Sequence, residues 1–200
     1  MNGKIIFATA NEGKMKEIRL ILADLGLEIL SMKDAGIRAD IVEDGTTFEE
    51  NAIIKAKAVA ELTDAIVLAD DSGLEVDYMD KQPGVYSARF LGEDTPYSVK
   101  NQYIIDKLAD AKGEERSARF VCVIAAACPD GEVLTTRATI EGTIAYEEEG
   151  DGGFGYDPIL YLPEYRTTTA GLSIEEKNKI SHRGKALELM KEKLRQKYEG

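Results

Sequence analysis

The sequence has few of the side chains that hold zinc or form disulfide bonds. Its 200 residues include one histidine, His182, and two cysteines, Cys122 and Cys128. Zinc sites and Cys–His catalysis need several such groups, so we expect neither. Both cysteines lie in the apolar run 120–128, where a thiol behaves as a small buried hydrophobe. We therefore predict that both are core residues.

Long hydrophobic runs and an excess of basic charge are also absent. No basic segment precedes a long apolar run, so we expect no signal peptide, no membrane span and a cytoplasmic location. Lysine and arginine total 25 against 37 acidic residues, a net charge of −12. Nonspecific nucleic-acid binding needs a basic surface, so a DNA- or RNA-binding module is only a weak alternative. A polyanionic ligand would require selectively placed lysines and a metal.

Apolar spacing predicts interleaved strands and helices. The predicted strands are residues 4–9, residues 65–69, which end at an acidic pair, a half-buried strand with Leu74, Val76 and Tyr78, and residues 117–128 and 132–145. Three helices are predicted before the last one: a helix with apolar residues from Met15 to Leu25, a helix from about Thr47 to Leu62, and a helix beginning at Thr95–Pro96 with Val99, Ile104, Ile105 and Leu108 facing inward. A C-terminal helix with Leu187, Met190 and Leu194 follows a capping box at Ser173 and Glu176. Pro129–Gly131 is a turn signal that makes the two long strands a hairpin. We predict one α/β domain over residues 1–200, with a mixed twisted sheet flanked by helices.

The loop Thr9–Lys14 lies between the first strand and the first helix. It reads Thr9, Ala10, Asn11, Glu12, Gly13, Lys14. Backbone N–H groups and the helix dipole at such a position favour an anion, so a phosphate site is one interpretation. The Walker A spacing is absent. An ordinary polar loop is the alternative.

Asp70 and Asp71 are adjacent carboxylates that need a compensating cation or hydrogen bonds. Magnesium suits them, because it binds one or two carboxylates together with water and phosphate oxygens. Glu43 and Asp44, on the loop before the second predicted helix, are candidates to complete the site. An exposed acidic turn is the alternative.

Three further features carry candidate ligand groups. Lys55 interrupts an alanine-rich helix, where its stem could reach a cleft. The glycine-rich run 150–158 holds Phe154 and Tyr156, which suits base stacking, although a hairpin loop with one core aromatic is the alternative. His182 stands in the motif Ser181–His182–Arg183 at the start of the last helix.

Six ordered motifs together resemble the inosine triphosphate pyrophosphatase family, the noncanonical purine nucleoside triphosphate pyrophosphatases. The motifs are residues 7–14, residues 47–52 with Lys55, residues 70–74, residues 83–89, residues 152–158, and Glu176–Lys177 with residues 181–183. The resemblance covers nearly the whole chain. It implies an elongated two-lobed α/β molecule with a central cleft, commonly a homodimer, that cleaves ITP, dITP or XTP to monophosphate and pyrophosphate and so cleanses the nucleotide pool.

The resemblance also assigns roles to residues. It implies that Thr9, Asn11 and Lys14, with their loop, hold the phosphates and that Lys55 adds a second cation. It implies that Glu43 and Asp71 carry Mg²⁺ and that Asp71 is the general base. The residues that it implies around the nucleotide are Ser72, Phe154, Gly155, Tyr156, Asp157, Lys177, His182 and Arg183.

One departure and two rival functions accompany this hypothesis. Many family members carry glycine where this chain has Ala10, so the backbone would approach phosphate slightly less closely. A pyrophosphatase for modified pyrimidine or methylated nucleotides would share the phosphate chemistry and differ in its base pocket. A nucleotide-binding regulator would bind inosine triphosphate without cleaving it.

Overall fold

The computed structural model describes residues 3–199 and contains the predicted interleaved elements. Its strands are β1 (Lys4–Phe7), β2 (Glu28–Ser31), β3 (Ile66–Val76), β4 (Ser117–Ala127), β5 (Val133–Ile144), β6 (Leu160–Leu162) and β7 (Thr167–Thr168). Its α-helices are α1 (Glu12–Leu22), α2 (Phe48–Ala60), α3 (Tyr97–Lys107), α4 (Ile174–Ile180) and α5 (His182–Glu199). The α/β class with a mixed sheet is confirmed.

The seven strands form one sheet in the order β2-β1-β3-β4-β5-β6-β7. β1 pairs in parallel with both β2 and β3, and the β5–β6 and β6–β7 pairs are antiparallel. The predicted hairpin of β4 and β5 is confirmed, because the Cys128 N–H donates to the Glu132 carbonyl at 2.9 Å across the turn. The helix starts predicted from capping boxes at Thr47 and Ser173 are confirmed as well.

The described chain divides into two compact units. The first unit comprises residues 3–71, 122–138 and 183–199, and the second comprises residues 72–121 and 139–182. The core of the first unit packs Phe7, Met15 and Leu68 with the apolar face of α5, and it includes Cys122 as predicted. The core of the second unit packs Leu74, Ile104 and Leu160. The single domain over 1–200 and the central cleft stay predictions.

Three predictions about local structure are wrong. The acidic pair does not end a strand, because β3 runs without interruption through Asp70 and Asp71 to Val76. Tyr78 is not a strand residue, since it lies in a 3-10 turn after β3. Val99 faces outward with 51% of its surface exposed, whereas Ile104, Ile105 and Leu108 are buried as predicted. Within residues 3–199, no helix is long and apolar enough to cross a membrane.

Candidate active site

The parallel pairing of β1 with β3 brings the loop after β1 to the acidic pair. Phe7 pairs with Leu68, and the Ala8 N–H then donates to the Leu68 carbonyl at 2.7 Å. The chain turns into α1 at Asn11, whose Oδ1 caps the helix by accepting the Lys14 N–H at 3.1 Å. Lys14 therefore projects from the first turn of α1 toward the middle of β3.

Asp70 is the centre of a buried ion-pair chain in the first unit. Lys14 Nζ lies 3.0 Å from Asp70 Oδ2. Arg183, from the start of α5, lies 3.3 Å from the same oxygen through NH2 and 2.5 Å from Glu17 Oε2 through NH1. The order Lys14–Asp70–Arg183–Glu17 thus alternates in charge, so no charge in it is left uncompensated by its neighbour.

The ion-pair chain keeps Asp70 ionised although only 1% of its surface is exposed. Burial by itself raises the pKa of this carboxyl, but Lys14, Arg183 and Lys55 outweigh burial and hold the pKa far below its ordinary value. Burial likewise opposes the charge of Arg183, and Asp70 and Glu17 raise its pKa above the ordinary value. A carboxylate whose pKa is lowered is a weaker base, so Asp70 is poorly suited to accept a proton near neutral pH.

Asp71 lies in a different setting on the same strand. Its Oδ1 is 3.2 Å from Lys55 Nζ, and that ammonium is also 3.0 Å from Glu43 Oε2. Burial raises the pKa of the Asp71 carboxyl, and the negative charges of Asp70 and Glu43 raise it further against the opposing effect of Lys55. Without a bound cation, Asp71 is therefore a stronger base than Asp70, which suits it better to accept a proton.

Glu43 reaches Lys55 because its loop is anchored to α2. The Gly45 N–H donates to Asn51 Oδ1 at 2.9 Å, and Asn51 is a buried residue on the second turn of α2. A Cβ at Gly45 would stand 2.6 Å from that same oxygen, so the loop approaches α2 more closely than a larger residue permits. Asp44, the other metal-ligand candidate, is exposed.

The predicted base-binding residues of the second unit are organised by Asp157. Its Oδ2 accepts the Phe154 N–H at 2.8 Å and lies 2.6 Å from Lys177 Nζ, while its Oδ1 accepts the Thr169 hydroxyl at 2.8 Å. The Lys177 ammonium also stands 4.9 Å from the centre of the Phe154 ring. Gly153 has φ +68°, and a Cβ there would overlap the Asp157 carboxylate. This part of the loop therefore requires glycine.

Tyr156 and His182 are largely buried in the second unit. Tyr156 has 5% of its surface exposed, and its hydroxyl donates to the Ser87 carbonyl at 2.6 Å. Of the two loop aromatics, Tyr156 is thus a core residue, and Phe154 is half-buried. The His182 ring lies 4.9 Å from the Phe120 ring, centre to centre.

Two comparisons with known proteins identify the family. The family model described as the Ham1 family matches residues 5–193. The chain belongs to the Ham1 family. Its fold is similar to that of the Ham1 protein of Staphylococcus aureus, with a TM-score of 0.86 and 39% identity over 97% of this chain and 99% of that one. A HAM1 protein from Coxiella burnetii gives a TM-score of 0.86 at 40% identity, over 96% and 98% of the two chains.

Curated relatives of this Ham1 family member carry one functional name. A protein of Exiguobacterium sibiricum named dITP/XTP pyrophosphatase is 49% identical over 92% of this chain and 93% of its own length. A protein of Clostridium perfringens with the same name is 46% identical over 96% and 97% of the two chains. The similarity therefore spans both units.

The residues around Asp71 fit a divalent cation that is shared with a ligand. Within residues 3–199, no three His, Cys, Asp or Glu side chains cluster closely enough to hold a metal by themselves. Asp71 Oδ2 is nevertheless buried and has no hydrogen-bond partner within the described chain, which is costly unless some other group meets it. The Glu43 and Asp71 carboxylates, with the unsatisfied oxygen of Asp71, therefore suit a metal whose other ligands are water and phosphate.

Sequence reasoning missed the partners that hold the site residues in place. Glu17 was not singled out, although it is a charged residue on the apolar face of α1 beside Met15 and Ile18. That position is the signal that could have indicated a buried ion pair. Arg183 was predicted to contact the nucleotide, and the structure pairs it with Glu17 and Asp70. The pairing of Asn51 with the Glu43 loop had no sequence signal.

Lys14→Ala is expected to raise the KM for a nucleoside triphosphate by about tenfold to a hundredfold with a smaller change in kcat. The Lys14 ammonium offsets phosphate charge in the ground state and transition state alike, which is uniform binding. Steady-state kinetics check this result. Lys16→Ala is the matched control, because Lys16 is an exposed lysine on the same helix. An unchanged KM for Lys14→Ala would remove Lys14 from the phosphate site.

Proposed function

We propose that this chain hydrolyses noncanonical purine nucleoside triphosphates, namely dITP, ITP and XTP, to the monophosphate and pyrophosphate. The single observation that carries the proposal is the buried pair Asp70–Asp71 with its different partners. Asp70 is compensated by Lys14, whereas Asp71 combines a raised pKa with an unsatisfied oxygen. The names of relatives at 46–49% identity agree with this activity.

The triphosphate binds at the start of α1 in this proposal. The backbone N–H groups of Thr9–Lys14 and the dipole of α1 favour an anion there. Lys14 and Lys55 supply two cations for the phosphates, and the metal proposed at Glu43 and Asp71 supplies the further positive charge that a polyanionic substrate needs in a protein of net charge −12. Since both ammonium groups are already held by carboxylates, they are ordered before the substrate arrives, which lowers the entropic cost of binding.

Glu43 and Asp71 would hold Mg²⁺ in this proposal, because carboxylate oxygens are the protein ligands that this cation prefers. When bound, the cation supplies Lewis-acid stabilisation of charge on the phosphate oxygens. Asp71 accepts the proton of the water that attacks the α-phosphorus, while Lys14 and its loop hold the β- and γ-phosphates as the leaving unit. Lys55 keeps Glu43 and Asp71 together, since its ammonium lies within 3.2 Å of an oxygen of each.

The base is bound by residues of the second unit in this proposal. Phe154 stacks on the purine, and Lys177 donates to the oxygen at position 6. The remaining members of the set proposed around the base are Ser72, Gly155, Tyr156, Asp157 and His182. Tyr156 contributes its backbone to this set, since its ring is buried and its hydroxyl is bonded to the Ser87 carbonyl. Arg183 is the other cation that the resemblance places around the nucleotide and therefore the other candidate for position 6. Both cations are held in buried ion pairs, and Lys177 is favoured because its ammonium stands 4.9 Å from the centre of the Phe154 ring that is proposed to stack on the base.

Magnesium-dependent cleavage of inosine triphosphate to inosine monophosphate and pyrophosphate is the expected result for the parent protein. Product analysis by anion-exchange chromatography checks it, with added chelator as the control that abolishes cleavage. Inosine diphosphate and inorganic phosphate as first products would contradict attack at the α-phosphorus. Tight binding of inosine triphosphate without any product would instead indicate a nucleotide-binding regulator. Faster cleavage of a modified pyrimidine or methylated nucleotide would indicate the other rival enzyme.

We further propose, from the family resemblance, a homodimer in the cytoplasm with no nucleic-acid or membrane partner. Sedimentation equilibrium checks the oligomeric state. A monomer at micromolar concentration would contradict the dimer.

A further inference from the structure

The segment Pro83–Arg89 is the one motif of the resemblance to which the proposed function gives no role. The chain reaches it by turning back from the end of β3, where the Val76 N–H donates to the Gln82 carbonyl at 3.2 Å and Glu75 forms a bridge with Pro83. The segment is a short 3-10 turn over Gly84–Tyr86 followed by Ser87. It therefore lies beside the final part of β3.

Ser87 uses both its side chain and its backbone to join two neighbours. Its Oγ accepts the Leu74 N–H of β3 at 2.9 Å and donates to the Gly84 carbonyl at 2.6 Å. Its own carbonyl accepts the Tyr156 hydroxyl at 2.6 Å. Ser87 and Tyr156 are both buried. One residue thus connects β3, two positions after Ser72, with the glycine-rich loop.

Helix α3 provides a second connection between the segment Pro83–Arg89 and the glycine-rich loop. Lys100 is fully buried, donates to the Ala88 carbonyl at 2.7 Å, and stands 4.8 Å from the centre of the Tyr97 ring. The Tyr97 ring meets the Tyr156 ring edge to face, with centres 5.1 Å apart. Asn101, the next residue of α3, donates to the Gly155 carbonyl at 3.3 Å. Helix α3 therefore contacts the loop at two adjacent residues, Gly155 and Tyr156.

The loop needs such support because its backbone is intrinsically free. Gly150, Gly153 and Gly155 all have positive φ, and glycine loses more conformational freedom on ordering than any other residue. A loop that is ordered before the ligand arrives spares the complex that loss. The hydrogen bond from Tyr156 to Ser87 acts on the loop only two residues from Phe154.

We propose that Ser87 is a positioning residue for base recognition and that it acts on the glycine-rich loop through the Tyr156 hydroxyl. The inference rests on the proposed function only in that residues 154–157 bind the base. Ser87 itself does not touch the nucleotide. Its role is to fix the loop, and so the Phe154 ring, relative to the Ser72–Val76 part of β3.

Tyr156→Phe tests the proposal, because it deletes one hydroxyl and keeps the buried ring. Isothermal titration is carried out with two probes, inosine monophosphate, which has a base, and inorganic pyrophosphate, which has none. We expect the Kd of inosine monophosphate to rise about fivefold to tenfold, because binding must then order a loop that the parent protein already holds, at a cost comparable to one buried hydrogen bond. The Kd of pyrophosphate is expected to stay within about twofold, and the KM for inosine triphosphate to rise without a matching fall in kcat.

Thr136→Val is the matched control. The Thr136 hydroxyl also donates from a buried position to a backbone carbonyl, that of Ala186 at 2.8 Å, and it belongs to the first unit. Loss of the Thr136 hydroxyl should lower thermal stability by a comparable amount and leave both affinities unchanged.

Ser87→Ala is the second variant, since it removes the acceptor of the Leu74 N–H. Combined with Tyr156→Phe, it should have less than the summed effect, because the two residues act in series.

Several results would overturn the inference. An unchanged affinity for inosine monophosphate in Tyr156→Phe would do so, and so would equal weakening of both probes, because that pattern indicates general loss of structure. Additive effects of Ser87→Ala and Tyr156→Phe would show that Ser87 does not act through Tyr156. A parent protein that neither binds nor cleaves inosine nucleotides would overturn the proposed function first, and the two failures are distinguished by assaying the parent alone.

Discussion

Asp71→Asn is expected to lower kcat for inosine triphosphate by about a thousandfold, within the range that general-base catalysis contributes. The substitution removes the proton acceptor and replaces a carboxylate oxygen that suits a metal with a neutral amide. Substrate binding should be largely retained, because Lys14 and the loop before α1 hold the phosphates. Single-turnover kinetics measure the chemical step, and equilibrium binding of the triphosphate in the absence of magnesium measures affinity.

Folding should survive this substitution. Burial and the charges of Asp70 and Glu43 all disfavour the ionised form of Asp71, so a neutral amide relieves repulsion, and Lys55 keeps Glu43 as a partner. Asp64→Asn is the matched control, since Asp64 is an exposed aspartate of the same unit. Near-normal turnover of Asp71→Asn would remove Asp71 from the mechanism.

Inosine triphosphate is expected to exceed adenosine triphosphate in kcat/KM by about 10⁴, the scale reached by sites that hydrogen-bond a required substrate group. Hypoxanthine and xanthine present an acceptor oxygen at position 6, whereas adenine presents an amino donor. A lysine or arginine can only donate, so adenine would leave a buried cation facing another donor. Competition assays with inosine, xanthosine, guanosine and adenosine triphosphates measure the preference. Equal use of the inosine and adenosine substrates would contradict it.

Lys177→Met separates the two candidate readers of position 6. We expect it to reduce the preference for inosine over adenosine by about a hundredfold, because Lys177 stands over the Phe154 ring and one lost hydrogen bond to a charged group is worth up to about 3 kcal/mol. Lys177→Met also removes the cation beside the buried Asp157 carboxylate, so thermal unfolding is measured on the same variant to show that the loop is still folded.

Arg183→Lys is the comparison variant for this test, since it keeps a cation beside Asp70. Arg183→Ala is less informative, because it removes the cation beside the buried Glu17 carboxylate and one of the two cations beside Asp70, and it should destabilise the fold by about 3 kcal/mol or more. An unchanged preference in Lys177→Met together with a lost preference in Arg183→Lys would assign position 6 to Arg183.

The sequence predicted the elements whose signals are local. The capping boxes at Thr47 and Ser173 set the starts of α2 and α4, because a cap side chain bonds to a backbone group only three residues away. Pro129–Gly131 predicted the hairpin for the same reason. The prediction for the acidic pair failed, because a change from apolar to charged residues at Asp70 looks like a strand end. β3 continues there, since Lys14, Arg183 and Lys55 compensate the two carboxylates inside the sheet.

The sequence by itself determined the family and most of the candidate residues, since six ordered motifs need no coordinates to be recognised. Only the tertiary structure decided what each charged residue does. Arg183 and Glu17 are 166 residues apart, and no spacing rule relates them. They meet because β1 and β3 pair in parallel while α1 and α5 pack in one core. Asp70 and Asp71, adjacent in sequence, acquire pKa shifts of opposite sign. Successive side chains on a strand point to opposite faces of the sheet, and the two carboxylates therefore form ion pairs with different partners, Asp70 with Lys14 and Arg183 and Asp71 with Lys55.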